Sequence, residues 1–432
     1  MAQTSTISRR AQNASIAMGS STMWEVLVDT WSSTNPNGYI NVGVAENALM
    51  HAELQQYLNR ERLNLPVEYL TYNDGGHGST TLRRSIAHFL NRHLHPAKPL
   101  DAEQMVATNG CSSAIEHVSW AFTDPGEGIL LGQPFYGTFI PDMTTRPGAA
   151  VVMVPFGQVD PFSLDAVSKY EEALISFQTS TGKPVRALML CHPHNPLGRC
   201  YPRQVLIELM RLCQKYQIHL ISDEIYALSV FENTVDESPA PVKFESALSI
   251  ELDGIIDPGL VHVLWGMSKD FGANGIRLGV VISQSSPEVL GALKATSLYS
   301  YPSGIADYLV GKLLADDDFT DQYIQENQKR LAESYAFAAN FFKANKIDYA
   351  PGCNAAFFLW INLGKRYREL HADLASEEAV GEKVMQSLLR ERVFLADGAV
   401  FGSEKDGWFR LVFTQPRAYL ELALEKIFKA LE

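Results

Sequence analysis

Short apolar runs alternate with stretches of helical period between about residues 80 and 300. Gln104–Thr108, Gly128–Leu131, Ala150–Pro155, Val185–Leu190, His219–Ser222, Leu260–Leu264 and Arg277–Ser283 read as strands. Several are apolar at consecutive positions, as strands buried on both faces are. The alternation therefore predicts an α/β fold with a mostly parallel sheet covered by helices on both sides. Tyr201 to Gln217 is a clear helix, with Val205, Leu206, Leu209, Leu212 and Cys213 on one stripe. Glu232 to Val242, rich in prolines and acids, reads as an exposed loop. From about Tyr301 a long helical stretch, Ile305 to Ala344, leads into a second unit with strands at Ala355–Leu363 and Trp408–Phe413. No internal repeat, low-complexity tract or coiled coil interrupts this pattern.

Chemistry gathers at the ends of the apolar runs. After Leu260–Leu264 comes Trp265-Gly-Met-Ser268-Lys269-Asp-Phe-Gly-Ala-Asn-Gly-Ile-Arg277-Leu-Gly279. One Lys stands where a buried strand opens into a Gly-rich loop, with a hydroxyl beside it and a guanidinium eight residues on. A Lys that forms a Schiff base must be partly desolvated, so that some of its amine is neutral. Ser268 and Arg277 suit a phosphate, and an aldehyde that carries a phosphate points to pyridoxal 5′-phosphate (PLP). A surface Ser-Lys pair in a basic turn is the plainer alternative. Three other strand ends weigh against it. Cys191-His-Pro193-His-Asn195-Pro196-Leu-Gly198 is a rigid turn that aims one amide. Ser222-Asp223-Glu-Ile-Tyr226 puts a carboxylate at a strand end and a phenol three residues on. Asn109-Gly110-Cys111-Ser112-Ser113 opens a helix with small residues, which exposes backbone N–H groups to an anion. Singly, each reads as a cap, a core aromatic or a plain turn. Together they fit a ligand site at the carboxyl ends of an open α/β sheet.

In this combination the chain resembles the aminotransferase class I/II family, the fold-type I PLP enzymes, from about Trp24 to near its end. The string Asn35-Pro-Asn-Gly38-Tyr-Ile-Asn-Val-Gly43-Val-Ala-Glu46-Asn47 resembles the branch that includes 1-aminocyclopropane-1-carboxylate (ACC) synthases, as does Gly407-Trp-Phe-Arg410-Leu-Val-Phe413. The resemblance implies an aspartate aminotransferase-like fold. Residues 1–46 would form an arm and part of a small domain, 47–303 a large PLP-binding domain, and 304–432 the rest of a smaller α+β domain. It implies that Lys269 holds PLP and shuttles the Cα proton, and that Asp223 faces the pyridine nitrogen. Tyr226 and Asn195 would bond the ring's phenolic oxygen, and Tyr136 would stack on the ring. Gly110, Cys111, Ser112, Ser268 and Arg277 would hold the phosphate. Arg410 would grip the substrate carboxylate, with Glu46 and the backbone around Val44 lining the substrate side. A homodimer with shared active sites is implied as well.

Two departures mark this chain. Where ACC synthases carry a tyrosine in a Tyr-His-Gly sequence, this chain reads Tyr72-Asn-Asp74-Gly75-Gly76-His77-Gly78, with glycine in the tyrosine's place. The hydroxyl usual three residues before the lysine is Gly266, which leaves His77, Tyr72 or a water to replace it. Both changes weigh against authentic ACC synthesis.

The 432 residues suffice for two or three domains, and 46% hydrophobic composition is ordinary. A net charge of −13 argues against nucleic-acid binding. No apolar run approaches the roughly 20 residues that span a bilayer. Five cysteines without a CxxC pair read as reduced thiols, so a cytoplasmic location is expected. His192 and His194 read as turn histidines beside a pocket rather than metal ligands, and no metal is expected. Met1 to Ser20, basic and free of acids, reads as a flexible arm rather than a mitochondrial presequence.

Three functions stand open. One is an ACC synthase-like lyase that breaks a C–S bond, with a bulky substrate as in secondary metabolism. The second is an aminotransferase that passes the amino group to a 2-oxo acid. The third is a non-catalytic PLP-binding protein. The early Asn35–Asn47 string favours the lyase, and the small-molecule substrate in either enzyme reading is an α-amino acid.

Overall fold

The computed structural model describes residues 6–19, 22–60, 64–371 and 379–432. Its centre is a seven-stranded sheet. In chain order the strands are β1 (Met105–Thr108), β2 (Gly128–Gly132), β3 (Ala150–Val154), β4 (Val185–Cys191), β5 (His219–Asp223), β6 (Val261–Gly266) and β7 (Gly279–Ile282). They lie side by side in the order β1-β7-β6-β5-β4-β2-β3. All pairings are parallel except those of β7, which runs against both β1 and β6. Alternate residues feed two separate cores. Val106, Ile129, Met189, Ile221 and Leu264 pack on one face, and Met105, Leu130, Leu188, Leu220 and Val263 on the other. Two apolar faces explain why the strands read as continuous apolar runs rather than as alternation.

The helices that matter for the site are α1 (His51–Leu58), α2 (Thr80–Leu94), α3 (Cys111–Phe122), α4 (Phe139–Thr144), α5 (Arg203–Tyr216), α6 (Asp317–Ala344) and α7 (Arg417–Leu431). In α5 the expected stripe is buried at Val205, Leu206, Leu209, Leu212 and Cys213. The expected single helix over Ile305–Ala344 is two. A helix over Gly304–Leu314 stops at Ala315, and Asp316 then caps α6 by accepting from the Phe319 N–H at 3.0 Å. Val310, Leu313 and Leu314 of the first piece join the core of the large sheet, so that packing runs on past residue 303.

A second, antiparallel sheet has the order β10-β11-β9-β8, from β8 (Asp348–Tyr349), β9 (Phe358–Asn362), β10 (Ala396–Asp397) and β11 (Trp408–Val412). Ile40–Asn41 pairs with Val393–Phe394, which draws the amino-terminal segment to this unit. Two expectations are corrected. The Glu232–Val242 loop is not simply exposed: the buried carboxylate of Asp236 accepts from Tyr349 Oη at 2.7 Å, Asn233 Nδ2 at 2.9 Å, the Gly352 N–H at 3.1 Å and the Tyr335 hydroxyl. The amino-terminal arm is helical over Arg9–Gly19, where Ala, Gln and Met favour helix, but no residue of that helix is buried. Residues 1–5 and 20 of the expected arm lie outside the described residues.

Candidate active site

The carboxyl ends of β1, β4, β5 and β6 meet at one edge of the sheet, and the turn after β2 reaches the same place. Because β7 is reversed, its start also lies there: Gly279 pairs with both Gly266 and Thr108. Arg277, two residues before Gly279, is thereby delivered beside the residues that end the parallel strands. Its backbone is left-handed, with φ of 58°. Its Nη1 donates to Asn274 O at 2.9 Å and its Nη2 to Asn109 O at 3.3 Å. The guanidinium lies so close to Gly110 that a Cβ there would meet Nη2 at 2.3 Å. A bare backbone therefore lets the cation sit against the amino end of α3.

These elements enclose a cavity of about 140 Å³. Cys111, Ser112, Tyr136, Asn195, Asp223, Tyr226, Ser268, Lys269 and Arg277 all line it, so the structure brings together most residues singled out in the sequence. Lys269 Nζ donates to Ala45 O at 2.6 Å. Burial first, and Arg410 second, lower its pKa to about 8. Asp223 is buried, and the one hydrogen bond its side chain shows is from the Ile225 N–H at 3.3 Å. Desolvation pushes its carboxyl up to about 7, against that hydrogen bond and the nearby lysine. Tyr226, packed edge-on to Phe357 and Phe358, has its phenol raised well above the usual range by burial. Asn195 Nδ2 faces its hydroxyl at 3.4 Å.

Arg410, on β11, is not among the lining residues but stands behind one of them, Asn195. Arg410 is 4% exposed and lies over the rings of Phe358 at 4.5 Å and Phe401 at 4.7 Å. Nη1 donates to Asn195 Oδ1 at 3.0 Å and Nη2 to Gly43 O at 2.6 Å, while Nε is buried with no partner. The backbone around Val44 was expected on the substrate side; the structure adds that the carbonyls of its neighbours Gly43 and Ala45 hold Arg410 and Lys269. Asn41 arranges that turn: its Oδ1 accepts from the Gly43 and Val44 N–H groups at 3.1 and 3.0 Å. Ile115, Ile225 and Asn274 also line the cavity and were not foreseen. Asn274 carried a readable sign, an amide inside the Gly-rich loop after the lysine. Neither Tyr72 nor His77 lines the cavity of its own chain; Tyr72 is 75% exposed. Glu46 lines a neighbouring cavity rather than this one.

Residues 40–427 match the sequence family described as aminotransferase class I and II. The chain belongs to that family. It is 34% identical over 401 residues to a mouse (Mus musculus) protein named probable inactive ACC synthase-like protein 2; the match covers 91% of this chain and 66% of that one. An ACC synthase-like protein 1 of Takifugu rubripes is 33% identical, over 92% of this chain and 62% of the relative. The chain thus spans slightly less than two thirds of the length of these two relatives. Probable aminotransferase sirI of Leptosphaeria maculans is 31% identical, with 91% of both chains covered. Among solved structures, a Thermus thermophilus aspartate aminotransferase variant superposes with a TM-score of 0.71 over 99% of this chain and 100% of its own, at 21% identity. That likeness places the fold as the aspartate aminotransferase-like PLP-dependent transferase fold.

Enzymes of this family depend on PLP. The residues present fit it. A buried, poorly hydrogen-bonded carboxylate at Asp223 suits a cationic ring nitrogen. A lysine held near pH 8 suits an aldehyde. Arg277, against the bare backbone of Gly110 at the amino end of α3, suits a phosphate. Among the described residues no helix is long and apolar enough to cross a membrane.

Proposed function

We propose that the protein is a PLP-dependent enzyme that acts on the Cα–H bond of an α-amino acid and breaks a C–S bond in its side chain. The observation that carries the first part is Lys269 in one cavity with Asp223, Tyr226 and Arg277, with Arg410 held against the cavity-lining Asn195. Arg410 lies near enough to lower the lysine's pKa, and its fork is fixed by Asn195 and Gly43. When bound, PLP supplies an aldehyde for covalent capture of an amino group and a cationic ring that takes up the electron pair released from Cα. Lys269 holds the cofactor and then moves the Cα proton. Asp223 keeps the ring nitrogen protonated, and Tyr226 with Asn195 bonds the ring's phenolic oxygen. Tyr136 covers the ring face. Gly110, Cys111, Ser112, Ser268 and Arg277 hold the phosphate, and Arg410 orients the substrate carboxylate, while Glu46 and the Gly43–Ala45 turn line the substrate side. Residues 47–303 carry the cofactor side of this cleft, and residues 1–46 with 304–432 supply Arg410 and the turn.

The Asn35–Asn47 string supports the lyase outcome. The C–S bond breaks with its electrons on sulfur, the thiolate leaves, and water then releases a 2-oxo acid and ammonia. A thiolate leaves readily because its conjugate acid has a pKa of about 8.5. The relative named probable aminotransferase favours a second reading, transfer of the amino group to a 2-oxo acid. Incubating the holoenzyme with amino acids and cysteine S-conjugates separates the two. Thiol released in step with 2-oxo acid supports the lyase. Conversion of the cofactor to its amine form, reversed by an added 2-oxo acid, replaces it with the aminotransferase.

The working unit is a homodimer with shared sites. Val67, Leu70, Tyr72, Leu298 and Tyr299 are large and exposed, and Gly76 packs against Ser297 and Leu298 between them. Such a patch marks an interaction surface. Mixing inactive Lys269→Ala chains with chains inactivated in the Tyr72–Ser79 segment should restore part of the activity; no recovery despite proven exchange contradicts shared sites. Five buried free thiols support a cytoplasmic location.

A further inference from the structure

A second cavity opens beside the first, between α1 and the loop that follows Lys269. It holds about 710 Å³, within the roughly 300–1,000 Å³ of ordinary ligand sites. Its two walls are tied together, since His51 Nε2 lies 3.0 Å from Gly272 O. The loop is pressed so closely to the amino-terminal segment that a Cβ on Gly272, whose φ is +60°, would meet Asn47 O at 2.3 Å. Gln55 and Asn59 give one wall amide donors, and Leu54 and Leu58 make part of it apolar.

Asn274 belongs to both cavities. Its Nδ2 donates to Ala45 O at 3.2 Å, the same carbonyl that accepts from Lys269. That contact fixes the amide's orientation, because the flipped amide would set two oxygens against each other. Asn274 Oδ1 is thus aimed away from Ala45; it is buried and has no hydrogen-bond partner. A buried acceptor without a donor is destabilising. A ligand N–H at this point would remove that cost.

We propose that this cavity is a subsite for the far end of the substrate side chain, and that the preferred substrates are α-amino acids extended beyond Cβ by a neutral group with an amide N–H that meets Asn274 Oδ1. The proposal rests on the reading of Lys269 as the centre that acts on Cα. Lys269 and Asn274 share one carbonyl, so a side chain leaving the Lys269 centre passes the Asn274 amide before it enters the larger space. Gln55 and Asn59 offer donors to the carbonyl of that same amide. Glu46, on the rim, disfavours an anionic end by like-charge repulsion.

The test uses PLP-loaded protein and four probes: S-methyl-, S-propyl-, S-acetamidomethyl- and S-carboxymethyl-L-cysteine. Dissociation constants come from the first absorbance change of the bound cofactor and from calorimetry. The acetamidomethyl probe should bind on the order of tenfold more tightly than the propyl and carboxymethyl probes, the equivalent of one satisfied buried acceptor. Asn274→Leu should erase that preference. Ala52→Trp, on the exposed wall of the cavity, should weaken the acetamidomethyl and propyl probes while S-methyl-L-cysteine binds as before. Equal affinities for all extended probes, or Ala52→Trp binding them unchanged, overturn the subsite. If S-methyl-L-cysteine itself fails to perturb the cofactor of the wild-type protein, the reading of the Lys269 centre falls, and the subsite falls with it.

Discussion

The Sγ of Cys111 lies 3.1 Å from the place where a side chain on Gly266 would begin, and the carbonyl oxygen of Leu278 lies closer still, at 2.6 Å. The hydroxyl that the family usually carries at this position therefore has no room here. The thiol fills the space and donates to Trp265 O at 3.2 Å, while reversed β7 brings Leu278 and Gly279 up against the same turn. Gly266→Ser should overpack the turn and cost about 1–3 kcal/mol. Cys111→Ala should not rescue it, because the nearest obstacle is backbone. Urea denaturation of the single and double variants checks this; a Gly266→Ser protein as stable as its parent contradicts it.

Lys269 gives a pH prediction. Burial and then Arg410 lower its pKa to about 8, while Glu46 acts in the opposite sense. Only the neutral amine can capture an aldehyde, so the rate at which cofactor-free protein takes up PLP should climb as pH rises through about 8, well below the ordinary 10.5. Arg410→Gln removes a positive neighbour, favours the charged amine and should move the midpoint up. Glu46→Gln should move it down. Stopped-flow absorbance across pH reads all three, and midpoints that coincide would refute the assignment.

The strands and their order of chemistry were legible because four of the apolar runs, ending at Thr108, Leu190, Ser222 and Leu264, lead straight into residue types suited to a ligand. Lys269, Asp223 and Asn195 announce themselves by identity, and the structure sets all three in one cavity. What stayed hidden acts through backbone or through a turn of direction. The backbone around Val44 was legible as substrate lining, but not that the carbonyls of Gly43 and Ala45 hold Arg410 and Lys269, since a carbonyl has no residue signature. The reversal of β7 delivers Arg277, but a short apolar strand reads the same in either direction. The break at Ala315–Asp316 is a cap inside a helical period, and the anchoring of Asp236 depends on Tyr335 and Tyr349, about 100 residues away.

Asp223 should make the cofactor-free protein less stable as pH rises. Its folded pKa, about 7, lies above the ordinary 3.8. Between those values the unfolded chain releases the proton and the folded chain keeps it, so stability falls as pH climbs through that window and stays low above it. Asp223→Asn should therefore stabilise the cofactor-free protein at pH 8 by on the order of 1–3 kcal/mol and flatten the slope. Part of the slope should persist, because Glu224 and Asp270 are also pushed to about 7 by burial. The same variant should bind PLP at least about tenfold more weakly, having lost its charge-assisted partner. Melting curves with and without PLP separate the two effects; a variant less stable than its parent at pH 8 without PLP would show that the carboxylate is not held at a cost.

Arg410 carries the final prediction. Its guanidinium lies over the rings of Phe358 and Phe401, with Asn195 and Gly43 taking one N–H on each terminal nitrogen. A carboxylate that meets the remaining donors finds a planar, desolvated fork already in place, which a flexible ammonium cannot reproduce. Arg410→Ala should lose about 2–4 kcal/mol of that interaction and lower kcat/KM by on the order of 30- to 1,000-fold, with PLP still bound. Arg410→Lys keeps a charge but cannot reach Asn195 and Gly43 together, so it should recover less than about tenfold of the loss. An amine that lacks the carboxylate separates positioning from general damage. The variants should process it as slowly as the wild type does, since neither has anything for residue 410 to grip. If Arg410→Ala instead depresses the carboxylate-free amine as much as the amino acid, the residue supports the fold of the site and does not bind substrate.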